Sequence, residues 1–292
     1  FVEEWQDADV VHLFEVNLLT RAAVLAFRFP TLFRVLRSDT PLVVSTDDLY
    51  FIGRPELTEQ PLLYRVNYLI QRMILERADG IIAISGSVRD ALQKRLRDGN
   101  DIYVIHHGVA ERYCTATPAC LCHEDPFVLH VSLASKRKNP DAVLATAERL
   151  DQRVVLAGSG WNDIVPTSSA YANVETPGYV PDEELAELYR SAPVFYFPTL
   201  HEGFGLPVLE AMAANTAVVT SDVYSIPEVV GDAAILHAPH DIHAHVDSIR
   251  SLLSNREQCL EFASRAHDRA DEFTWESAAA ETAMVYSTVL ES

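Results

Sequence analysis

The sequence predicts an α/β protein with parallel sheets that are covered by helices on both faces. Short apolar runs of strand length alternate with segments of helical pattern along the chain. Some of these runs lead directly into glycine-containing loops, as in RVVLAGSG and IHHGV. With 292 residues, of which 48% are hydrophobic, the chain is long enough for two domains with packed cores.

The first part of the chain, residues 1–112, has the pattern of an incomplete domain of this class. The segments DADVVHLFEV, LVVSTDD, GIIAIS and DIYVIHHGV predict four strands. Residues 62–78 and 87–96 predict helices. We expect a linker at 113–125, which contains Pro118 and a cluster of cysteines.

The second predicted domain covers residues 126–275. Its predicted strands lie in PFVLHVSL, RVVLAGSG, VFYFPT, AVVTS and AAILH. The predicted helices are 141–150, 182–190, 241–253 and 256–271, and a last helix follows over 276–292. Cys259 is expected to be a core residue of its helix.

Composition excludes several classes of protein. The net charge of −19, with lysine at only three positions, argues against general nucleic-acid binding. Every apolar run is shorter than a membrane span. Cys114, Cys120, Cys122 and His123 leave a zinc site open as an alternative to free thiols, although their spacing is not a recognised one. The cysteines suggest no disulfide framework, which fits a reducing cytoplasm.

The most informative stretch is HEGFGLPVLE, in which Glu202 and Glu210 stand on either side of a glycine-containing loop. Pro207 suits the first position of a helix, where its missing N–H has no cost. The amides of such a helix N-terminus can face an anion, and the two carboxylates can hold sugar or ribose hydroxyls. For an isolated motif the alternative is an ordinary helix N-terminus, which favours acidic residues.

The longer run FPTLHEGFGLPVLEAMAANTAVVTSDVYSIPEVVGDAA resembles the E-x7-E motif of glycosyltransferase family 4, also called glycosyltransferases group 1. The resemblance extends from about Asp9 to Trp275. It implies the GT-B fold, which has two Rossmann-like domains with a cleft between them, and a last helix that crosses back to the first domain. Asn215 stands where the family has Gly, and Asn is the next-best residue for a left-handed helix C-cap.

The family begins with a strand and a Gly-rich loop that faces the donor. This chain starts at what resembles the fourth strand of the first domain, so we expect that domain to be truncated at its N-terminus. Phe14 and His107 stand where the family often has His and Asn. These departures concern the acceptor side of the molecule.

The resemblance implies a retaining transfer of a sugar from a nucleotide-diphosphate-sugar to a glycan, lipid-linked or other hydroxyl acceptor, without a metal or cofactor. Glu202 is expected near the transferred sugar and Glu210 on the ribose hydroxyls. Arg137 and Lys138, in the run SKRKNPD after a strand, are expected to stabilise the charge of the leaving diphosphate. A solvated charged turn is the alternative for this basic run.

Further candidates follow from position in the family pattern. The donor-binding candidates are Gly158, Gly160, Tyr179, Val180, Gly203, Phe204, Gly205 and Leu206. Taken alone, Gly158 and Gly160 are a weak phosphate-loop signal, because a third Gly is missing. His12 is a catalytic candidate for which a structural role weighs equally. The acceptor-side candidates are Glu15, Asn17, Asp47, Ser85 and His107.

Two other interpretations stay open. The short first domain and its altered positions allow a catalytically impaired nucleotide-sugar-binding or regulatory subunit. Another enzyme of the same fold, such as an epimerase or phosphorylase, is disfavoured by the EGFGLPVLEAM run. We expect a cytoplasmic protein. A peripheral contact with the inner face of the membrane is left open, because many family members act there, but the sequence shows no obvious basic amphipathic helix.

Overall fold

The computed structural model describes residues 8–14, 34–46, 57, 61–96, 99–115, 117–118 and 125–292. The chain divides into two compact units. The first unit contains residues 1–107 and 276–292, and the second contains residues 108–275. The described residues of the expected linker therefore group with the second unit. Each unit is built on its own parallel sheet, so the predicted α/β class is confirmed.

The described residues of the first unit form a four-stranded parallel sheet whose strands lie in chain order. The strands are β1 (Val11–Phe14), β2 (Leu42–Thr46), β3 (Gly80–Ala83) and β4 (Ile102–Val104). Helix α1 (Pro61–Arg77) leads into β3, and α2 (Gly86–Gln93) connects β3 to β4. Helix α2 ends three residues before the predicted end. All residues of β2 and β3 are buried, as expected for strands covered on both faces.

The C-terminal helix, Trp275–Glu291, supplies part of the core of the first unit. Its Val285 and Val289 are 3% and 5% exposed, and they form one apolar cluster with Val43, Ile82 and Ile105. The helix thus belongs to the first unit by packing, although it follows the second unit in the chain.

The second unit contains a six-stranded parallel sheet in the order β10-β9-β8-β5-β6-β7. The strands are β5 (Phe127–Val131), β6 (Arg153–Ala157), β7 (Val174–Gly178), β8 (Val194–Phe197), β9 (Ala217–Ser221) and β10 (Ile235–His237). The helices are α3 (Pro140–Ala147), α4 (Trp161–Ile164), α5 (Asp182–Ser191), α6 (Leu206–Ala213), α7 (Ile226–Val230), α8 (Ile242–Ser254) and α9 (Arg256–Ala270), and the C-terminal helix is α10.

The core of the second unit lies where α3, α8 and α9 cover the central strands. Trp161 and Tyr196 are almost completely buried in it. Cys259 on α9 is 1% exposed, which confirms its predicted place in the core. Within the described residues, no helix combines the length and the apolar character that crossing a bilayer requires.

The strand order of the second unit positions a binding crevice. The chain starts at β5 and adds β6 and β7 on one side, and then adds β8, β9 and β10 on the other side. The direction reverses between β5 and β8, which are neighbours. In open parallel sheets, ligands bind at such a switch point, beyond the carboxyl ends of the strands.

Candidate functional site

Two loops leave the sheet at the switch point, one after β5 and one after β8. The first contains a short 3-10 turn over Lys136–Lys138, which ends at Asn139 in a left-handed conformation with φ 57°. The side-chain amide of Asn139 donates to the carbonyl oxygens of Pro198 and Pro239, at 2.9 Å each. These bonds fix the basic turn against the end of β8.

Glu202, in the loop after β8, lies between two cations of that turn. Lys138 Nζ is 2.6 Å from Glu202 Oε1, and Arg137 Nη1 is 2.7 Å from Oε2. The side chains of Glu202 and Lys138 are 6% and 10% exposed, whereas that of Arg137 is 25% exposed. The structure thus brings together three of the four predicted catalytic residues.

The surroundings of Glu202 favour its ionised form. Burial raises the pKa of Glu202, but Lys138, Arg137 and the hydrogen bond from Thr199 together lower it by more, so the pKa lies below its usual value. The hydroxyl of Thr199 donates to Glu202 Oε1 at 2.9 Å. Lys138 Nζ also lies 4.7 Å from the ring centre of Phe197, a cation–π distance. The three side chains carry one net positive charge, which can attract an anion.

The loop that carries Glu202 runs into α6. Gly205 precedes the helix with φ 105°, a left-handed conformation, and a Cβ there would press on the side chain of Ile226. The helix begins at Leu206, so Pro207 occupies the second position and not the first; its missing N–H still has no intrahelical acceptor. Phe204 is 3% exposed and its ring contacts Phe273, so its side chain is not available to a ligand.

Glu210 lies on α6, beyond its first turn. Its Oε2 accepts a hydrogen bond of 2.9 Å from the hydroxyl of Tyr189 on α5. Burial raises the pKa of Glu210, and the hydrogen bond from Tyr189 opposes that shift. The two carboxylates of the motif therefore differ: one is held between cations, and the other is held by a neutral donor.

The loop after β6 packs on the loop after β5. Gly158 and Gly160 both have positive φ, of 123° and 90°. A Cβ on Gly158 would overlap the carbonyl oxygen of Ser132, and that same oxygen accepts a hydrogen bond of 2.8 Å from the indole of Trp161. The hydroxyl of Ser132 lies 2.7 Å from Nε2 of the fully buried His130.

Two donor-side candidates follow β7. Tyr179 is 76% exposed and Val180 is half-buried. The backbone N–H of Gly158 donates to the carbonyl oxygen of Gly178, at 2.7 Å. The loop after β6 is thereby joined to the segment that starts at Tyr179.

Two candidates of the first unit, His12 and Ser85, are held by structural contacts. The ring nitrogens of His12 on β1 lie 2.8 Å from the hydroxyl of Ser45 and 2.6 Å from that of Tyr286, and burial lowers its pKa to about 4. Ser85 is fully buried and caps α2, because its hydroxyl accepts from the N–H of Val88.

The other predictions for the first part of the chain have different outcomes. Burial, and to a smaller extent His106, lowers the pKa of His107. The candidates Glu15, Asn17 and Asp47 lie outside the described residues, and so do Cys120, Cys122 and His123. The residues that are described contain no group of three or more His, Cys, Asp or Glu able to hold a metal ion.

Sequence reasoning did not find several residues that shape the site. Thr199 and Tyr189 bond the two carboxylates directly. The hydroxyl of Ser225 donates to the carbonyl oxygens of Glu202 and Phe204, at 2.8 and 3.0 Å, and so fixes the backbone of the motif loop. A single sequence gives no signal for such contacts, because they join residues of common types that lie three or more positions apart.

Comparison with known proteins agrees with this geometry. Residues 121–269 match the family model for glycosyl transferases group 1, and residues 1–112 match that for glycosyltransferase family 4. The chain is 34% identical to O-antigen chain mannosyltransferase B of Escherichia coli over 172 residues, which are 55% of this chain and 45% of that protein. The chain thus spans less than half of the length of that relative.

Solved structures share the fold at low sequence identity. Sucrose-phosphate synthase from Thermosynechococcus elongatus superposes with a TM-score of 0.77 at 20% identity, over 97% of this chain and 74% of that one. Anabaena HepE, solved with UDP-glucose, gives 0.75 at 20% identity, over 96% and 79%. Together with the family models, these matches show that the chain is a member of the glycosyl transferases group 1, also called glycosyltransferase family 4, with the GT-B fold.

Proposed function

We propose that the protein is a retaining glycosyltransferase that moves a hexosyl group from a nucleotide-diphosphate-sugar to a hydroxyl of a glycan or lipid-linked acceptor. The observation that carries the proposal is the trio of Glu202, Arg137 and Lys138 at the switch point of the second sheet. Its net positive charge and the nearby N-terminus of α6 suit a diphosphate, and its carboxylate suits sugar hydroxyls.

The chemistry assigned to these residues concerns the leaving group. As the bond between the anomeric carbon and the diphosphate breaks, negative charge accumulates on the diphosphate oxygens. Arg137 and Lys138 are already fixed by Glu202 and Asn139, so they stabilise that charge with little reorganisation. In this proposal, cationic side chains and backbone amides take the place of a metal ion.

The similar proteins indicate which sugar donors to test first. One of them is named as an O-antigen mannosyltransferase, and HepE was solved with UDP-glucose. We therefore propose a role in the synthesis of cell-envelope polysaccharide, and GDP-mannose and UDP-glucose are the first donors to test.

Isothermal titration with GDP-mannose, UDP-glucose and ADP-glucose tests the donor site. We expect one of them to bind the wild-type protein and to bind Lys138→Ala at least tenfold more weakly, since a charge-assisted contact is lost. Lys136→Ala is the matched control, because Lys136 belongs to the same turn but is exposed. If the wild type, Lys138→Ala and Lys136→Ala bound the donor with equal affinity, or if no donor bound, the assignment of Lys138 to a donor site would be refuted.

Turnover is measured with the donor that binds. Hydrolysis or transfer that continues in the presence of EDTA, with the anomeric configuration kept in the product, supports the proposed reaction. Binding without turnover would favour a binding or regulatory subunit instead.

A further inference from the structure

The hydroxyl of Tyr189 makes a hydrogen bond of 2.9 Å to Glu210 Oε2, across the contact between α5 and α6. Tyr189 is completely buried, whereas Glu210 is only partly buried. A buried hydroxyl without an acceptor would lower the stability of the folded protein. The hydrogen bond to Glu210 is therefore favoured in the folded state. No other hydrogen bond to the Glu210 carboxylate occurs in the portion of the chain that is described.

The ring of Tyr189 is held firmly in place. It makes an edge contact with Tyr113 and a tilted contact with Phe195, at centroid distances of 5.5 Å each. Its backbone carbonyl accepts a hydrogen bond of 2.8 Å from the hydroxyl of Thr216. A donor fixed on several sides in this way also fixes the carboxylate that accepts from it.

We propose that Tyr189 is a positioning residue for the nucleoside of the donor: it holds the Glu210 carboxylate so that the remaining lone pairs face the two adjacent ribose hydroxyls. This inference rests on the proposed function. An ionised carboxylate has about four acceptor positions, of which Tyr189 uses one, so enough remain for two hydroxyl donors. Holding the carboxylate in advance lowers the entropy lost on binding.

Because Glu210 is ionisable, the proposed role of Tyr189 can also be tested through the pH dependence of nucleotide binding. Burial raises the pKa of Glu210, and the hydrogen bond from Tyr189 lowers it. Removal of the Tyr189 hydroxyl is therefore expected to move this pKa further up, so that nucleotide binding is lost at a higher pH as acid is added. Other groups face the carboxylate as well: Asp182 raises its pKa, Arg112 and Lys138 lower it, and the ring of Tyr113 lies nearby.

The test uses the nucleoside diphosphate selected by the donor screen, together with its 2′,3′-dideoxy analogue. Both are titrated between about pH 5 and pH 8 into the wild-type protein, Tyr189→Phe and Tyr196→Phe. Tyr196 is the matched control, since it is a buried tyrosine of the same unit whose hydroxyl bonds Thr146. We expect Tyr189→Phe to bind the ribonucleotide about tenfold more weakly and the dideoxy analogue unchanged.

The pH series adds a second criterion. The acid limb of ribonucleotide binding, which is the range of low pH in which affinity falls, is expected to move to higher pH in Tyr189→Phe and to stay in place in Tyr196→Phe. Equal weakening of both ligands would mean a general structural effect and would overturn the inference, as would unchanged affinity at every pH. If Tyr189→Phe does not fold, the wild-type protein still decides: dideoxy binding that falls with acid as steeply as ribonucleotide binding would overturn it.

The two proposals fail in different ways. If the wild-type protein binds no nucleoside diphosphate, the proposed function fails. If it binds one but Tyr189→Phe shows neither a weakening confined to the ribonucleotide nor a shifted acid limb, only the role of Tyr189 fails.

Discussion

Replacement of Glu202 by Gln should destabilise the second unit strongly, because it removes the anion that separates two cations. The carboxylate lies 2.6 Å from Lys138 Nζ and 2.7 Å from Arg137 Nη1, and it is 6% exposed. The net charge of the trio would rise from one to two. Breaking a buried ion pair costs about 3–5 kcal/mol. Arg137 is 25% exposed and Gln keeps an acceptor oxygen, so we expect the lower end, about 3 kcal/mol.

Urea denaturation at pH 7.5 measures this free energy of unfolding. Glu175→Gln is the control, because its carboxylate is 56% exposed and 3.4 Å from Arg153. Such a surface pair should contribute less than about 1 kcal/mol. A loss of under about 1 kcal/mol in Glu202→Gln, or a loss equal to that of the control, would refute the view that the carboxylate holds the two cations together.

The pH dependence of that difference has a definite sign. The pKa of Glu202 in the folded protein lies below its usual value of 4.5: burial raises it, and the two cations together with the hydrogen bond from Thr199 lower it by more. The resulting stabilisation is complete above pH 4.5 and is lost as the pH falls through the folded pKa. The gap between wild type and Glu202→Gln should therefore narrow only below about pH 4.5. A gap that closes already at neutral pH would contradict an ionised carboxylate.

Three further outcomes can be checked on single variants. Lys138→Ala should lower the turnover of an active protein about 10²–10³-fold in a steady-state assay, if Lys138 supplies one contact to the transition state. Burial lowers the pKa of His130 to about 3, so wild type should lose about 2 kcal/mol more than His130→Gln between pH 7.5 and pH 5 in urea denaturation. Gly158→Ala should lower the melting temperature more than Gly99→Ala, because both have positive φ but only Gly158 faces the oxygen of Ser132.

Each of these expectations can fail clearly. Near-wild-type turnover in Lys138→Ala would remove that residue from the reaction. Parallel pH profiles of wild type and His130→Gln would mean that His130 accepts a proton inside the fold. Equal melting temperatures of the two glycine variants would mean that the loops after β5 and β6 can move apart.

Local patterns in the sequence predicted much of the second unit. The strand segments, the helix after HEGFG and the left-handed conformation of Asn215, with φ 58°, directly after the C-cap residue Ala214 are present as expected. Each depends on the side chains of a few consecutive residues, such as a proline near a helix start or an asparagine at its end.

Helix ends were predicted less well, because distant residues decide them. Helix α3 was predicted over 141–150, but it ends at Ala147. The side-chain amide of Asn173 donates to the carbonyl oxygens of Ala147, Leu150 and Gln152, at 3.3, 2.8 and 2.9 Å. These bonds stabilise the turns after the helix, and the sequence around α3 contains no sign of them.

By itself, the sequence determined the fold class and the family, because these follow from local periodicity and from a motif of consecutive residues, and the resemblance to that family named Glu202, Arg137 and Lys138 as candidates. Only the tertiary structure decided how the two carboxylates differ. Glu202 became the partner of Lys138 and Arg137 because β5 and β8 are neighbours in the sheet. Glu210 became the acceptor of Tyr189 because α5 packs on α6. The pKa of a carboxylate depends on how deeply it is buried and on which charged or hydrogen-bonding groups contact it. Both of these depend on residues that are distant in the chain.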